Sequence, residues 1–169
     1  QAVPEAVERA IAWVSTHCTA RGTTDIMTPL QGALAMLAKS GAPGSIPFVF
    51  LITDGAVENE REICKVTQQA QGYARAGGMA ALPRVCTFGI GRYCNHYFLK
   101  MLATIGRGLS DAAFTPDRIA RQMAALLSAA CSPVLTDVQI GISGDAGLEI
   151  YPFPVPDLFV GSPVMVSGK

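Results

Sequence analysis

The sequence is short of charge, histidine and long apolar runs, and each shortage excludes something. Only 15% of its 169 residues are charged, and 13 Lys plus Arg balance 13 Asp plus Glu. With no net charge there is no basic surplus to draw the chain to nucleic acid or an anionic membrane. No apolar run approaches the roughly 18 residues that span a bilayer. The longest compact run, Phe48-Val49-Phe50-Leu51-Ile52, has the length of a strand. Two histidines leave acid–base catalysis little to work with, and neither a Gly-x-Ser-x-Gly elbow nor a His-Glu-x-x-His helix occurs. The chain is therefore read as a non-enzyme. Five cysteines, Cys18, Cys64, Cys86, Cys94 and Cys131, are odd in number and lack CxxC spacing. They read as reduced thiols, which favours an intracellular setting over a secreted one. The start, Gln1-Ala2-Val3-Pro4-Glu5, has no charged stretch followed by an apolar one, so no signal peptide is expected. With no initiator Met and an ending in mid-pattern at Ser167-Gly168-Lys169, the chain reads as a piece of a longer protein.

What is present is apolar material, half of all residues, which is enough for a folded core. Pro4 to Thr16 reads as a helix, with Pro4 in its first turn and an apolar stripe of Ala6, Ala10, Trp13 and Val14. A loop, Arg21 to Asp25, precedes a second helix with Thr28 as its expected N-cap and Gly41-Ala42-Pro43-Gly44 as its stop. Pro47 to Thr53 is a continuous apolar run, as in a strand buried on both faces of a parallel sheet. Helix then alternates with strand: Glu58 to Ala76 with Gly77-Gly78 as its stop, Arg84 to Gly89, Tyr97 to Ile105, Leu109 to Phe114, and Asp117 to Ala130. That order implies parallel pairing through right-handed crossovers. From Val134 the pattern changes: Leu135, Val138, Ile140 and Ile142 alternate with polar or small residues. Pro152, Pro154, Pro156 and Pro163 exclude long helices there. The expected division is an α/β unit over 1–131 and the start of a β-rich, sandwich-like unit over 132–169.

In an open parallel sheet, ligands bind outside the carboxyl ends of the strands. Three loops lie at such ends: Gly22 to Asp25, Thr53 to Gly55, and Gly89 to Cys94. Asp54 leaves a buried strand, and Thr24 offers a hydroxyl. Oxygen donors of this kind suit a hard cation such as Mg²⁺.

Gly22-Thr23-Thr24-Asp25-Ile26 and Ile52-Thr53-Asp54-Gly55 resemble the second and third elements of the metal-ion-dependent adhesion site of von Willebrand factor type A (VWA) domains. Thr87-Phe88-Gly89-Ile90-Gly91, then Asn95, Leu99, Leu102, Ala103 and Gly106, resemble the later strand and helix of that fold. Pro133 to Val138, Tyr151-Pro152, Pro156 to Phe159, Gly161 and Ser167-Gly168 extend the resemblance to the inter-α-trypsin inhibitor heavy-chain type. The resemblance implies a Rossmann-like parallel sheet flanked by helices, the C-terminal part of a VWA domain, followed by a β-rich segment. It implies Thr24 as a metal ligand and Asp54 as a direct or water-mediated one, Asp25 outside the ligand shell orienting the loop, and a protein partner whose Asp or Glu completes the coordination of Mg²⁺. The family's first element, Asp-x-Ser-x-Ser, is absent from these residues, so the resemblance places the first strands upstream. With two donors and several waters, weak or absent Mg²⁺ binding is expected of this piece.

Plainer readings stand beside these. Asp54-Gly55 also fits a simple turn, and Thr24-Asp25 a helix entry. Gly89-Ile90-Gly91-Arg92-Tyr93-Cys94 lacks the third glycine of a dinucleotide loop, and Gly168-Lys169 follows Pro163 where a phosphate loop needs Gly. Cys94 and His96 read as a surface loop pair, His17 as a capping or solvated residue, and Met27, Met36, Met101 and Met123 as core fillers. The alternative to a cation-dependent interaction module is a structural scaffold with a degenerate or missing metal site. A Rossmann-like hydrolase has only fold analogy behind it.

Overall fold

The structure, a computed structural model, describes residues 3–19, 22–40, 45–76, 82–136, 138–141, 149–153, 155–161 and 163–169. The expected stops at Gly41 to Gly44 and Gly77-Gly78, with Arg21, Ile142 and Pro154, lie outside the described residues. The elements run α1 (Pro4–His17), α2 (Met27–Ser40), β1 (Phe48–Thr53), α3 (Glu60–Ala76), β2 (Arg84–Ile90), α4 (His96–Ile105), β3 (Arg107–Ala113) and α5 (Pro116–Ala130). Four two- or three-residue strands follow: β4 (Pro133–Leu135), β5 (Ile150–Tyr151), β6 (Leu158–Phe159) and β7 (Ser167–Gly168). β1, β2 and β3 form a parallel sheet in that order, so the α/β class expected from the sequence is the one found.

The period of two along each strand sorts side chains onto opposite faces. Val49, Leu51 and Val85 face one cluster, with Ile26, Leu30 and Leu34 of the α2 region, Ile63 of α3, and Phe98, Leu99 and Leu102 of α4. Phe50, Phe88 and Ile90 face the other, with Ile119, Met123 and Leu126 of α5. Every residue of β2 from Arg84 to Gly89 is buried. Besides Arg84 at its start, β2 holds one buried polar side chain, Thr87, whose hydroxyl reaches the Leu99 carbonyl at 2.9 Å and Ser110 Oγ at 3.0 Å. The register aligns Thr53, Gly89 and Ala112 at the carboxyl end of the sheet.

Two expectations are corrected. Thr28 lies inside α2 rather than capping it; its N–H donates to Asp25 Oδ1 at 3.2 Å, so the cap comes from the carboxylate before the helix. The helix expected from Pro4 is found, and its apolar stripe lies exposed: Trp13 and Val14 are exposed, and no residue of α1 is buried. Helical periodicity reports an apolar face but not what covers it. Met36 and Met101 are also exposed, whereas Met27 and Met123 pack against the two core clusters.

The C-terminal residues are joined to the amino ends of β2 and β3 by a buried ion triad. Arg84, Arg107 and Asp157 are 0%, 3% and 2% exposed. Arg84 Nε donates to Asp157 Oδ2 at 2.5 Å, and Arg107 Nη2 donates to Oδ1 at 2.8 Å. Arg84 also donates to the Leu82 carbonyl. Arg107 has φ +55°, a left-handed conformation unfavourable for a side-chain-bearing residue. Its Nε and Nη2 both donate to Asp157 Oδ1, which helps to hold that geometry. Val155 and Phe159 are buried on either side of the carboxylate. β4 pairs with β6 and β5 with β7, both antiparallel.

Asp157→Ala strands two buried guanidinium groups. It is expected to lower folding stability by about 3–5 kcal/mol, read as a lower urea midpoint. A midpoint within error of the parent chain would contradict this account of the triad.

Candidate functional site

Two loops leave the carboxyl ends of β1 and β2, whereas the loop at Gly22 to Asp25, expected at a strand end, joins α1 to α2; the structure brings it against the loop after β1. Gly55 follows Asp54 directly, and a side chain there would overlap the Thr24 hydroxyl and meet Thr24 Cβ at 3.4 Å. Thr24 therefore lies on the Gly55 backbone, and only a glycine admits it. Thr24, Asp25 and Asp54 are all exposed. The turn after β1 is closed by Thr53, whose hydroxyl oxygen accepts from the Gly55 N–H at 3.3 Å. The loop before α2 is closed by Asp25. The Thr28 hydroxyl, and then the Thr28 N–H, hold its carboxyl below the usual carboxylate range.

The third loop, after β2, stands on another glycine. A Cβ at Gly89 would come within 2.9 Å of the His96 ring and 3.0 Å of Cys94 Sγ. His96 Nε2 lies 2.8 Å from the Gly91 carbonyl, and because a carbonyl only accepts, this nitrogen carries the proton. Phe114 packs on the ring at 4.8 Å between centroids. Asn95 caps α4, accepting from the Phe98 N–H at 3.1 Å, and donates from Nδ2 to both Glu60 carboxylate oxygens at 3.0 Å. That tie fixes the loop to the start of α3.

Cys94 and His96 are thus not the surface pair read from the sequence. Cys94 is 5% exposed, with Sγ 3.5 Å from His96 Nε2 and 3.8 Å from Nδ1. Nearly equal distances to both nitrogens are those of packing rather than of a directed bond. Burial first, and the nearby Asp54 charge in addition, push the Cys94 thiol above its ordinary range. A thiol held protonated is a poor nucleophile and a poor metal ligand.

The edge therefore holds Thr24 and Asp54 as accessible oxygen donors, with Asp25 committed to its helix and Cys94 and His96 to packing. Hydroxyl and carboxylate are the donor types a hard cation takes, although octahedral Mg²⁺ needs six and waters would fill most positions. No group of three or more His, Cys, Asp or Glu side chains placed to hold a metal occurs among the described residues. Sequence reasoning missed the part played by Glu60 and the burial of Cys94. The only signal was Asn95 immediately before a helical pattern, a residue type favoured at N-caps.

Two outcomes follow. Gly55→Ala is expected to displace Thr24, seen as shifts of both loops' backbone amides in an ¹⁵N-HSQC spectrum while the α5 amides stay in place. Because its folded-state pKa is depressed, Asp25 contributes to stability above its unfolded value of 3.8, and that contribution is lost as the pH falls through its lower folded value. Asp25→Asn should therefore flatten this acid limb of the stability profile; an unchanged slope would contradict the cap.

No protein-family profile matches the chain. It is similar to the von Willebrand factor A domain-containing protein 5B1 of Mus musculus, 28% identical over 149 residues, 87% of this chain and 11% of that protein. The Homo sapiens protein of the same name is 29% identical over the same shares. The inter-alpha-trypsin inhibitor heavy chain H3 of Bos taurus is 24% identical over 174 residues, 99% of this chain and 19% of that protein. The chain thus spans 11% to 19% of the length of these relatives.

Proposed function

We propose that this von Willebrand factor type A-like domain binds a protein partner at the carboxyl edge of its sheet, through a divalent cation held in part by Thr24 and Asp54. The observation that supports the reading is the contact between Thr24 and Gly55, which brings the Thr24 loop against the residue that follows Asp54. Mg²⁺ fits the donor chemistry, and an Asp or Glu of the partner would add the charge-assisted contact that fills an open position. Asp25 acts by holding the Thr24 loop through its cap on α2. No covalent step belongs to this reading, and the partner of the whole protein is part of the same proposal.

A second reading, a scaffold that binds without metal, is favoured by one observation. The loops close through their own hydrogen bonds, Thr53 with Gly55 and Asp25 with Thr28, and so keep their shape without an ion.

Calorimetry with Mg²⁺ and Mn²⁺ on the full-length protein separates the two. The first reading expects heat of binding that Asp54→Ala abolishes and Thr24→Ala reduces. No heat, or heat that survives Asp54→Ala, would favour the scaffold.

A further inference from the structure

We infer that the groove between α3 and α4 is a docking site for an acidic amphipathic helix of a protein partner, separate from the loop edge. The groove has a volume of about 430 Å³. One wall is apolar: Tyr97, Met101 and Ile105 recur every four residues along α4 and present one face over about 12 Å. Tyr97 is 73% and Met101 38% exposed, in a chain whose other α4 apolar residues, Phe98, Leu99 and Leu102, are buried.

The opposite wall is basic. Arg61 and Lys65 sit one turn apart on α3, both exposed, and neither has an ion-pair partner among the described residues. Glu60, the remaining charged lining residue, already accepts both contacts from Asn95. The groove therefore offers an apolar strip beside two free cations, within a chain of no net charge. Carboxylates flanking an apolar stripe complement it.

A helix fits the groove because it satisfies its own backbone hydrogen bonds and needs no strand edge, which neither wall offers. A stripe of apolar residues at i, i+3 or i+4 and i+7 matches the length of the Tyr97–Ile105 face.

The test uses the 169-residue chain and a fluorescent, side-chain-stapled helix of about 14 residues, long enough to cover the groove. It carries Leu at i, i+3 and i+7 and Glu on both flanks; a second peptide has Lys in place of every Glu. The acidic peptide is expected to bind, more weakly as salt rises. The double variant Arg61→Glu/Lys65→Glu is expected to weaken it about tenfold and to accept the basic peptide instead. Both positions are exposed, so an unchanged melting temperature checks that the variant folds. Asp54→Ala should leave this affinity unchanged, which separates the groove from the loop edge. The inference is overturned by absent binding, by equal affinity for the two peptides, by indifference to the charge reversal, or by retention on phosphatidylserine vesicles that matches binding of the peptide.

Discussion

Asp157 holds together two things that local sequence keeps apart. Its carboxylate neutralises Arg84 and Arg107, buried at the amino ends of adjacent strands and 73 and 50 residues away along the chain. A buried guanidinium is tolerated only when paired and hydrogen-bonded, so the two strands and residues 155–159 stabilise one another. The left-handed Arg107 backbone and the register shift between Val85 and Thr87 lie at the same end of the sheet. Strain and desolvated charge are thus gathered at the amino edge, opposite the loops.

That arrangement leaves the carboxyl edge free to carry small, locally closed loops. Each is fitted by close contact with a glycine: Thr24 against Gly55, and Cys94 with His96 against Gly89. Each is also closed by a short-range hydrogen bond from Thr53, Asp25, Asn95 or His96. The edge is preorganised by the protein alone. The α3–α4 groove differs in kind. It is a surface between two helices, and its chemistry comes from side chains the core did not need.

The elements were legible in the sequence because their signals are local. β1 is an unbroken apolar run, and the alternation of strand with helix implies parallel pairing through crossovers. Where the reading failed, the deciding fact was nonlocal. Ala6, Ala10, Trp13 and Val14 form a helical stripe whatever lies next to it, and the structure leaves that stripe uncovered. Thr28 is as good a capping residue as Asp25 by type; the start of the helix at Met27 decided between them.

By itself the sequence determined the fold class, the order of the elements and the presence of oxygen donors at predicted strand ends. Those follow from residue-by-residue hydrophobicity and turn chemistry, which act over a few positions. Only the tertiary structure decided that Thr24 rests on Gly55, that Cys94 is a buried thiol beside His96, and that Asp157 reaches both arginines. The first and the last are contacts between segments far apart in the chain, and the burial of Cys94 depends on the same packing. Their geometry exists only once the sheet has set its register, and no spacing in a one-dimensional pattern encodes it.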